Sequence, residues 1–456
     1  MLVNAKVKVL QDKSGLLAKV DGWIIPAKSF ELYHRYQVTQ DETLTKDALL
    51  YNLVMNRLIS QFALSEIGEN KLNDDSKVAY STDTALRDLF TAIVRFNFND
   101  QISEAIKSSS KKSLSTYISE PFVLTKVQLK SVISPSKQSF LLVYRLNETQ
   151  TKRAKTMRLL TFQFPNQTKR TINLFEIYQA SNIQEKIAIH QLDIEKLKEL
   201  IQRYMTSLYA EYWLNTLSGL SQVEIQALRD FISQNRVVGQ YYRYTGFKSG
   251  IHQDNLPLKQ VAKTVTLEEV SSYYNANKDA FKTILKVKAR HITLDSQALA
   301  DKVQAELSQG LAFQKAVELY SIAEDKLKPI PGDLGWIERS GHKEWLLSLP
   351  FTQKKGQHSP AFMSPIKNGK KRTWEIVYLD DKVEGYYPFD SETVRYQASK
   401  QIAEQKIHQH IISLRSKLTR EATIWVPKNL VSKFEDKNTP LVEIDLFHQA
   451  HDHADH

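Results

Sequence analysis

The sequence predicts an α+β protein: a mainly helical region carrying a small antiparallel β insertion, followed by a compact α+β unit. Three observations predict it. Amphipathic helical stretches recur between residues 29 and 119 and again between 183 and 276. Four β-branched and aromatic runs cluster between residues 121 and 178. Strand-like and helix-like stretches then alternate as β-α-α-(α)-β-β between residues 286 and 380. At 456 residues the chain is too long for one ordinary core, so two or three domains are expected.

Residues 16–26, "LLAKVDGWIIP", read as a hairpin, because Asp21-Gly22 is a type I′ turn signal between apolar runs. Ser29 is read as the N-cap of a short helix, "SFELYHRYQ". In "TKDALLYNLVMNRLISQFALSEIG", Leu49, Leu53, Leu58 and Phe62 fall near one helical face and Gly68 closes it. Residues 82–119 read as helix. The runs "FVLTKVQLKSV", "SFLLVYRL", "MRLLTFQF" and "TINLFEIY" read as four strands separated by turn or loop material. Residues 183–235 return to helix, and Thr266 with Glu269 has capping-box spacing for a helix from Leu267.

The compact unit opens with "KVKARHITL" as a strand. Ser296 is placed to cap "QALADKVQAELSQ", and "AFQKAVELY" is a second short helix. "PGDLGWIERSG" follows. Its Gly332 and Gly335 can adopt backbone angles that other residues resist, and Trp336 is expected beneath the sheet. "KEWLLSL" is a short helical piece. Asn368-Gly369 signals a hairpin before the strand "RTWEIVYL". A long helix starts at Asp390 or Ser391, with Ile407, Ile411, Leu414 and Leu418 as its apolar stripe, and "ATIWVP" is a closing strand. These elements divide the chain into a hairpin and helical segment (1–120), a small antiparallel sheet (121–178), a helical region (179–284), the compact unit (285–382), a C-terminal helix and strand (383–432) and a flexible His-rich tail (433–456).

Composition excludes several function classes. The absence of cysteine removes disulfides, thiolate metal sites and a Cys nucleophile. No run approaches the length of a membrane helix. The net charge of +11 is spread among acidic residues, as in "IEKLKELIQR", which reads as solvated helix surface rather than a nucleic-acid footprint. It also suits proximity to a membrane surface or acidic clients. There is no Gly-x-x-x-x-Gly-Lys loop, no Gly-x-Gly-x-x-Gly, no His-Glu-x-x-His and no Gly-x-Ser-x-Gly, and no cofactor is expected. His448, His451, His453 and His456, interleaved with Asp452 and Asp455, suit weak binding of Zn, Cu or Ni. A disordered, solubilising tail is the alternative.

In order and spacing, "LEEVSSYYNANKDAFK", "VKARHITL", "AELSQGLAFQKAVELYS", "GDLGWIERSG", "LPF" and "GQHSPAF" resemble the parvulin-type (PpiC-like) peptidyl-prolyl isomerase domain. "AKVDGWIIPAKSFELY" and the helix after it resemble the chaperone segment of SurA- and PrsA-like proteins. The resemblance covers residues 267–420 and 16–68 and is absent over roughly 70–265. It implies an extracytoplasmic, often periplasmic, foldase acting on unfolded or extended polypeptides, with the helix 391–419 packing back on the N-terminal segment. The N-terminus, "MLVNAKVKVLQDKSG", has no apolar signal-peptide core, so a cytoplasmic protein or a mature or alternative start are the readings at that end.

The family pattern implies two core histidines, a Cys or Asp on the loop after the second helix, and an apolar cup for the proline ring. His291 in "ARHI" matches the first histidine, and a hydrogen-bonded core histidine is its equal alternative. The second histidine position falls on Trp374 and the loop position on Ala323, so two of three polar positions depart from the pattern. Asp325 substitutes only if the loop is shifted. Trp345, Leu346, Phe351 and Phe362 are candidates for the cup, each equally compatible with core packing. The expectation is a folding factor with weak isomerase activity, or alternatively a catalytically degenerate holdase or assembly factor.

Overall fold

The structure, a computed structural model, describes residues 7–11, 15–72, 82–133, 145–248, 254–339, 344–365 and 372–436. The fold is α+β, as the sequence predicts. It divides into two compact units, residues 1–257 with 406–456 and residues 258–405. The second unit is therefore longer at both ends than the span 285–382 read from the sequence.

In the first unit, strands β1 (Val7–Val9), β2 (Leu16–Val20) and β3 (Trp23–Pro26) precede most of the helices. Asp21 and Gly22 have φ of 46° and 93°, the two positive angles that a type I′ hairpin requires. The next helix begins at Ala27, after Pro26, so Ser29 is not its cap. Ser29 is instead fully buried and donates to the Glu224 carbonyl at 2.8 Å. The helix Lys46–Glu66 is capped by Thr45, whose hydroxyl accepts from the Ala48 N–H, and ends before Gly68 at φ +84°. Its Leu49, Leu53 and Leu58 are buried, and it packs against the helix Gln222–Thr245. The helices Thr82–Lys107, Ile183–His190 and Ile194–Thr216 join the same core, the first of them broken at Phe98.

Residues 121–178 differ from expectation. "FVLTKVQLKSV" forms the helix Lys126–Val132, because Thr125 and Gln128 complete a capping box that outweighs β propensity. "NETQTKRAK", expected as a loop, forms the helix Glu148–Thr156 behind a second capping box at Asn147. "SFLLVYRL" lies mostly outside the described residues. Three strands remain, β4 (Ile118–Glu120), β5 (Arg158–Phe162) and β6 (Arg170–Asn173), in an antiparallel sheet ordered β4-β5-β6. After β6 the run "TINLFEIY" turns into the helix Leu174–Gln179, capped by Asn173 and Glu176. Leu160, Phe162, Ile172 and Ile177 belong to the same apolar cluster as the long helices.

The second unit opens with the helix Leu267–Ala276, whose Thr266–Glu269 capping box forms as read. Its sheet runs β8 (Asp333–Glu338), β7 (Lys282–Leu294), β10 (Trp374–Tyr386), β9 (Phe362–Met363), all antiparallel. One face carries Ile292, Leu294, Ile376, Trp374 and Tyr378 under the helices Gln297–Ser308 and Phe313–Tyr320. Ser296 holds the first of these helices' N-cap position but makes no side-chain cap bond. The other face carries Val287, Ala289, Ile337 and Leu379, covered by Leu334, Leu347 and Phe351. Trp336 is not beneath the sheet: it is 46% exposed, with the Lys286 ammonium 5.1 Å from its ring centre. Asn368-Gly369 lies outside the described residues.

A helix spans Glu392–Glu421. Its Val394, Ala398 and Ile402 pack with Val270 and Phe281 in the second unit, and Ile411 and Leu414 belong to the core of the first. Strand β11 (Ile424–Val426) then inserts between β1, parallel, and β2, antiparallel. Ile424 and Val426 are fully buried there. His448, His451, His453 and His456 lie outside the described residues, and no group of three or more His, Asp or Glu among the described residues is arranged to hold a metal ion. No helix among them is long and apolar enough to cross a membrane.

Candidate functional site

His291 lies on β7 with Thr293 on the same face, two residues apart. Antiparallel pairing sets Val377 of β10 opposite His291 and Glu375 opposite Thr293, so Glu375 shares that face. Trp374 pairs with Leu294 and points to the helix-covered face. Trp374, read as the second histidine position, therefore faces away from the ring, and Glu375 is the β10 residue that reaches it. Its carboxylate lies 2.9 Å from His291 Nδ1 and accepts from the Thr293 hydroxyl at 2.9 Å.

The other ring nitrogen, Nε2, meets Asp325 Oδ2 at 2.8 Å. The loop after the helix Phe313–Tyr320 brings Asp325 to that nitrogen. Ser321 and Ile322 dock on the end of β7: the Ile322 N–H donates to the Thr293 carbonyl at 2.8 Å, and the Ser321 hydroxyl accepts from the Thr293 N–H at 3.2 Å. A short 3₁₀ turn, Glu324–Leu327, then swings Asp325 inward. Ala323 caps that turn and offers the site only backbone, its N–H donating to Ser321 Oγ at 3.3 Å.

Gly332 ties the loop to the strand. Its N–H donates to the Asp325 carbonyl at 3.2 Å and its carbonyl accepts from the His291 N–H at 2.9 Å. A Cβ at Gly332 would lie 2.3 Å from the His291 carbonyl oxygen, and its φ is +68°. This position of the "PGDLGW" stretch therefore requires glycine on two counts.

His291 and Glu375 are each 6% exposed. A neutral imidazole has one N–H, so two carboxylates at its two nitrogens are both satisfied only by the doubly protonated ring. Burial by itself would push the His291 titration down; hydrogen bonding and charge attraction from Glu375 and then Asp325 outweigh it and raise it above the ordinary imidazole value. The result is a buried Glu375–His291–Asp325 chain that favours the protonated ring. Asp325 Oδ1 is buried without a hydrogen-bond partner among the described residues.

The apolar candidates separate. Phe351 packs on the His291 face against the Val287, Ala289, Ile337 and Leu379 cluster, with the Arg339 guanidinium 5.6 Å from its ring centre. Leu347, not singled out in the sequence, packs there too, whereas Trp345 and Leu346 are half-buried on the same helical turn and outside that cluster. Phe362 on β9 sits opposite Glu375. Ser359, inside "GQHSPAF", is buried beside Val377, accepting its N–H at 3.0 Å and donating to the Pro360 carbonyl. Glu375 was legible in one respect: it is a carboxylate at an inward position of an otherwise apolar strand, "WEIVYL".

No protein-family model matches the chain. The foldase protein PrsA 1 of Bacillus cereus is 26% identical over 193 residues, 42% of this chain, and the match spans 61% of that foldase's length. A PrsA structure from Streptococcus pneumoniae matches at 16% identity, covering 52% of this chain and 78% of that one, with a TM-score of 0.22. A SurA-like chaperone structure from Campylobacter jejuni matches at 18% identity, covering 57% and 97%, with a TM-score of 0.21. The whole-chain superpositions are poor. The sequence match bears out the resemblance to SurA/PrsA-like parvulin chaperones.

Proposed function

We propose that this relative of PrsA-type foldases is an extracytoplasmic folding factor that binds extended polypeptide, and that its second unit is a parvulin-like domain with weak peptidyl-prolyl isomerase activity. Rotation about a peptide bond has a barrier of roughly 18–20 kcal/mol. A catalyst need form no bond to the substrate; it must bind the twisted amide more tightly than the planar one. Each tenfold acceleration corresponds to about 1.4 kcal/mol of such preference. The observation that carries this reading is the His291–Asp325 contact, which sets a carboxylate beside the histidine of the parvulin-like strand.

A specific observation favours the second reading, a holdase without catalysis. Glu375 and Asp325 engage both nitrogens of His291, so the ring has no N–H left for a client. An X-Pro isomerisation assay on the wild type and His291→Ala, run beside suppression of client aggregation, separates the two. Activity that falls at least about tenfold in the variant supports the isomerase. Aggregation suppression with no measurable isomerisation in either protein supports the holdase and overturns the isomerase.

A further inference from the structure

We propose that Glu375 is a positioning residue that acts through His291: clamped between Glu375 and Asp325, the ring holds the Ser321–Ile330 loop against β7. This rests on the isomerase or client-binding reading of the same face. The two carboxylates are not equivalent. Glu375 has other donors, the Thr293 hydroxyl at 2.9 Å and the Thr373 hydroxyl at 3.5 Å. Among the described residues the Asp325 side chain has only His291: its second oxygen is buried and unpartnered. Only one N–H remains when the ring loses a proton, so one of the two carboxylates then faces a nitrogen lone pair, that contact changes from attractive to repulsive, and the clamp on the loop loosens.

The loop so held carries Ile322, Leu327 and Ile330 outward, 51%, 83% and 43% exposed. It forms an apolar rim on the loop that reaches the histidine, and its position sets what an extended chain meets there. Other charged groups near the ring are already committed. Lys326, on the loop, donates to the Ser321 carbonyl. Arg290, next on β7, is bidentate to Asp380 on the opposite face. Asp333 of β8 accepts from the Gly335 N–H. The helix Phe313–Tyr320 sends the apolar Val317 toward Gly332. The sequence pattern alone, with a second histidine expected in this strand, has no place for such a clamp.

The test is a nitrogen-15 NMR titration of the His291 ring in the full chain, with the backbone amides of Lys326 and Gly332 followed in the same samples. In the wild type both ring nitrogens stay protonated at pH 7, and the two amides shift with the midpoint of the ring. In Glu375→Gln the ring midpoint falls by about one pH unit or more, the equivalent of one lost charge-assisted hydrogen bond, and the amides follow it. Glu375→Asp, which keeps the charge, retains at least part of the elevation. A wild-type ring that is singly protonated at pH 7 overturns the proposal without any variant. So does a Glu375→Gln midpoint equal to wild type, or loop amides that ignore the ring. Absence of isomerase activity in every protein would sink the isomerase reading and leave this measurement standing.

Discussion

Alanine at Gly332 and at Gly335 tests how the loop is fastened to the strand. The two glycines have nearly equal backbone angles, φ +68° and +70°. Each alanine therefore costs about 1–2 kcal/mol for a left-handed conformation. They differ in surroundings: a Cβ at Gly335 meets nothing within 4 Å, whereas one at Gly332 falls 2.3 Å from the His291 carbonyl oxygen and 3.2 Å from a Val317 methyl. The backbone must open by about 1 Å, a local strain of roughly 1–3 kcal/mol. Gly332→Ala should then cost about 3 kcal/mol in all, lowering the melting temperature of a unit of about 150 residues by roughly 6–12 °C. Gly335→Ala should stay several degrees above it. Differential scanning calorimetry of the full chain reads both, and His291 ring resonances should move only in Gly332→Ala. Equal melting temperatures for the two variants would refute the close approach and the fastening built on it.

Two further outcomes are expected. His291 titrates above its unfolded value, so its contribution to stability is complete below about pH 6.5; it is lost as pH rises through the elevated folded titration. Denaturant melts of the second unit at pH 6 and pH 9 should show that loss in the wild type and not in His291→Gln, which at pH 6 should be about 3–5 kcal/mol less stable because it strands buried carboxylates. A wild-type curve that parallels the variant across this window contradicts the charged clamp. In the first unit, Ile424→Ala should cost about 2–5 kcal/mol, since Ile424 is fully buried between β1 and β2. Trp425→Ala, at a half-buried position in the same strand, is the control; equal urea midpoints for the two would argue against β11 as a central strand.

Much of the fold was legible because its signals are local. The Asp21-Gly22 turn, the Thr266–Glu269 capping box and the alternation of "KVKARHITL" each act within a few residues. The misread helices at Lys126–Val132 and Glu148–Thr156 also have local causes, capping boxes at Thr125 and Asn147 that β propensity concealed. The candidate site was less legible because its parts lie far apart in sequence. His291 and Glu375 are 84 residues apart, and His291 and Asp325 are 34 apart.

By itself the sequence determined the α+β class, the first strand of the second unit and the two helices after it, the parvulin resemblance and the histidine on that strand, since each rests on periodicity, turn chemistry or a contiguous motif; it read Asp333–Glu338, which is a strand, as a turn. Tertiary structure alone decided which residues meet that histidine. Strand side chains alternate faces, so a one-residue difference in register exchanges Trp374 for Glu375. A loop's reach depends on what fastens it: Gly332, bonded to both Asp325 and His291, helps bring to the ring a carboxylate two residues beyond Ala323.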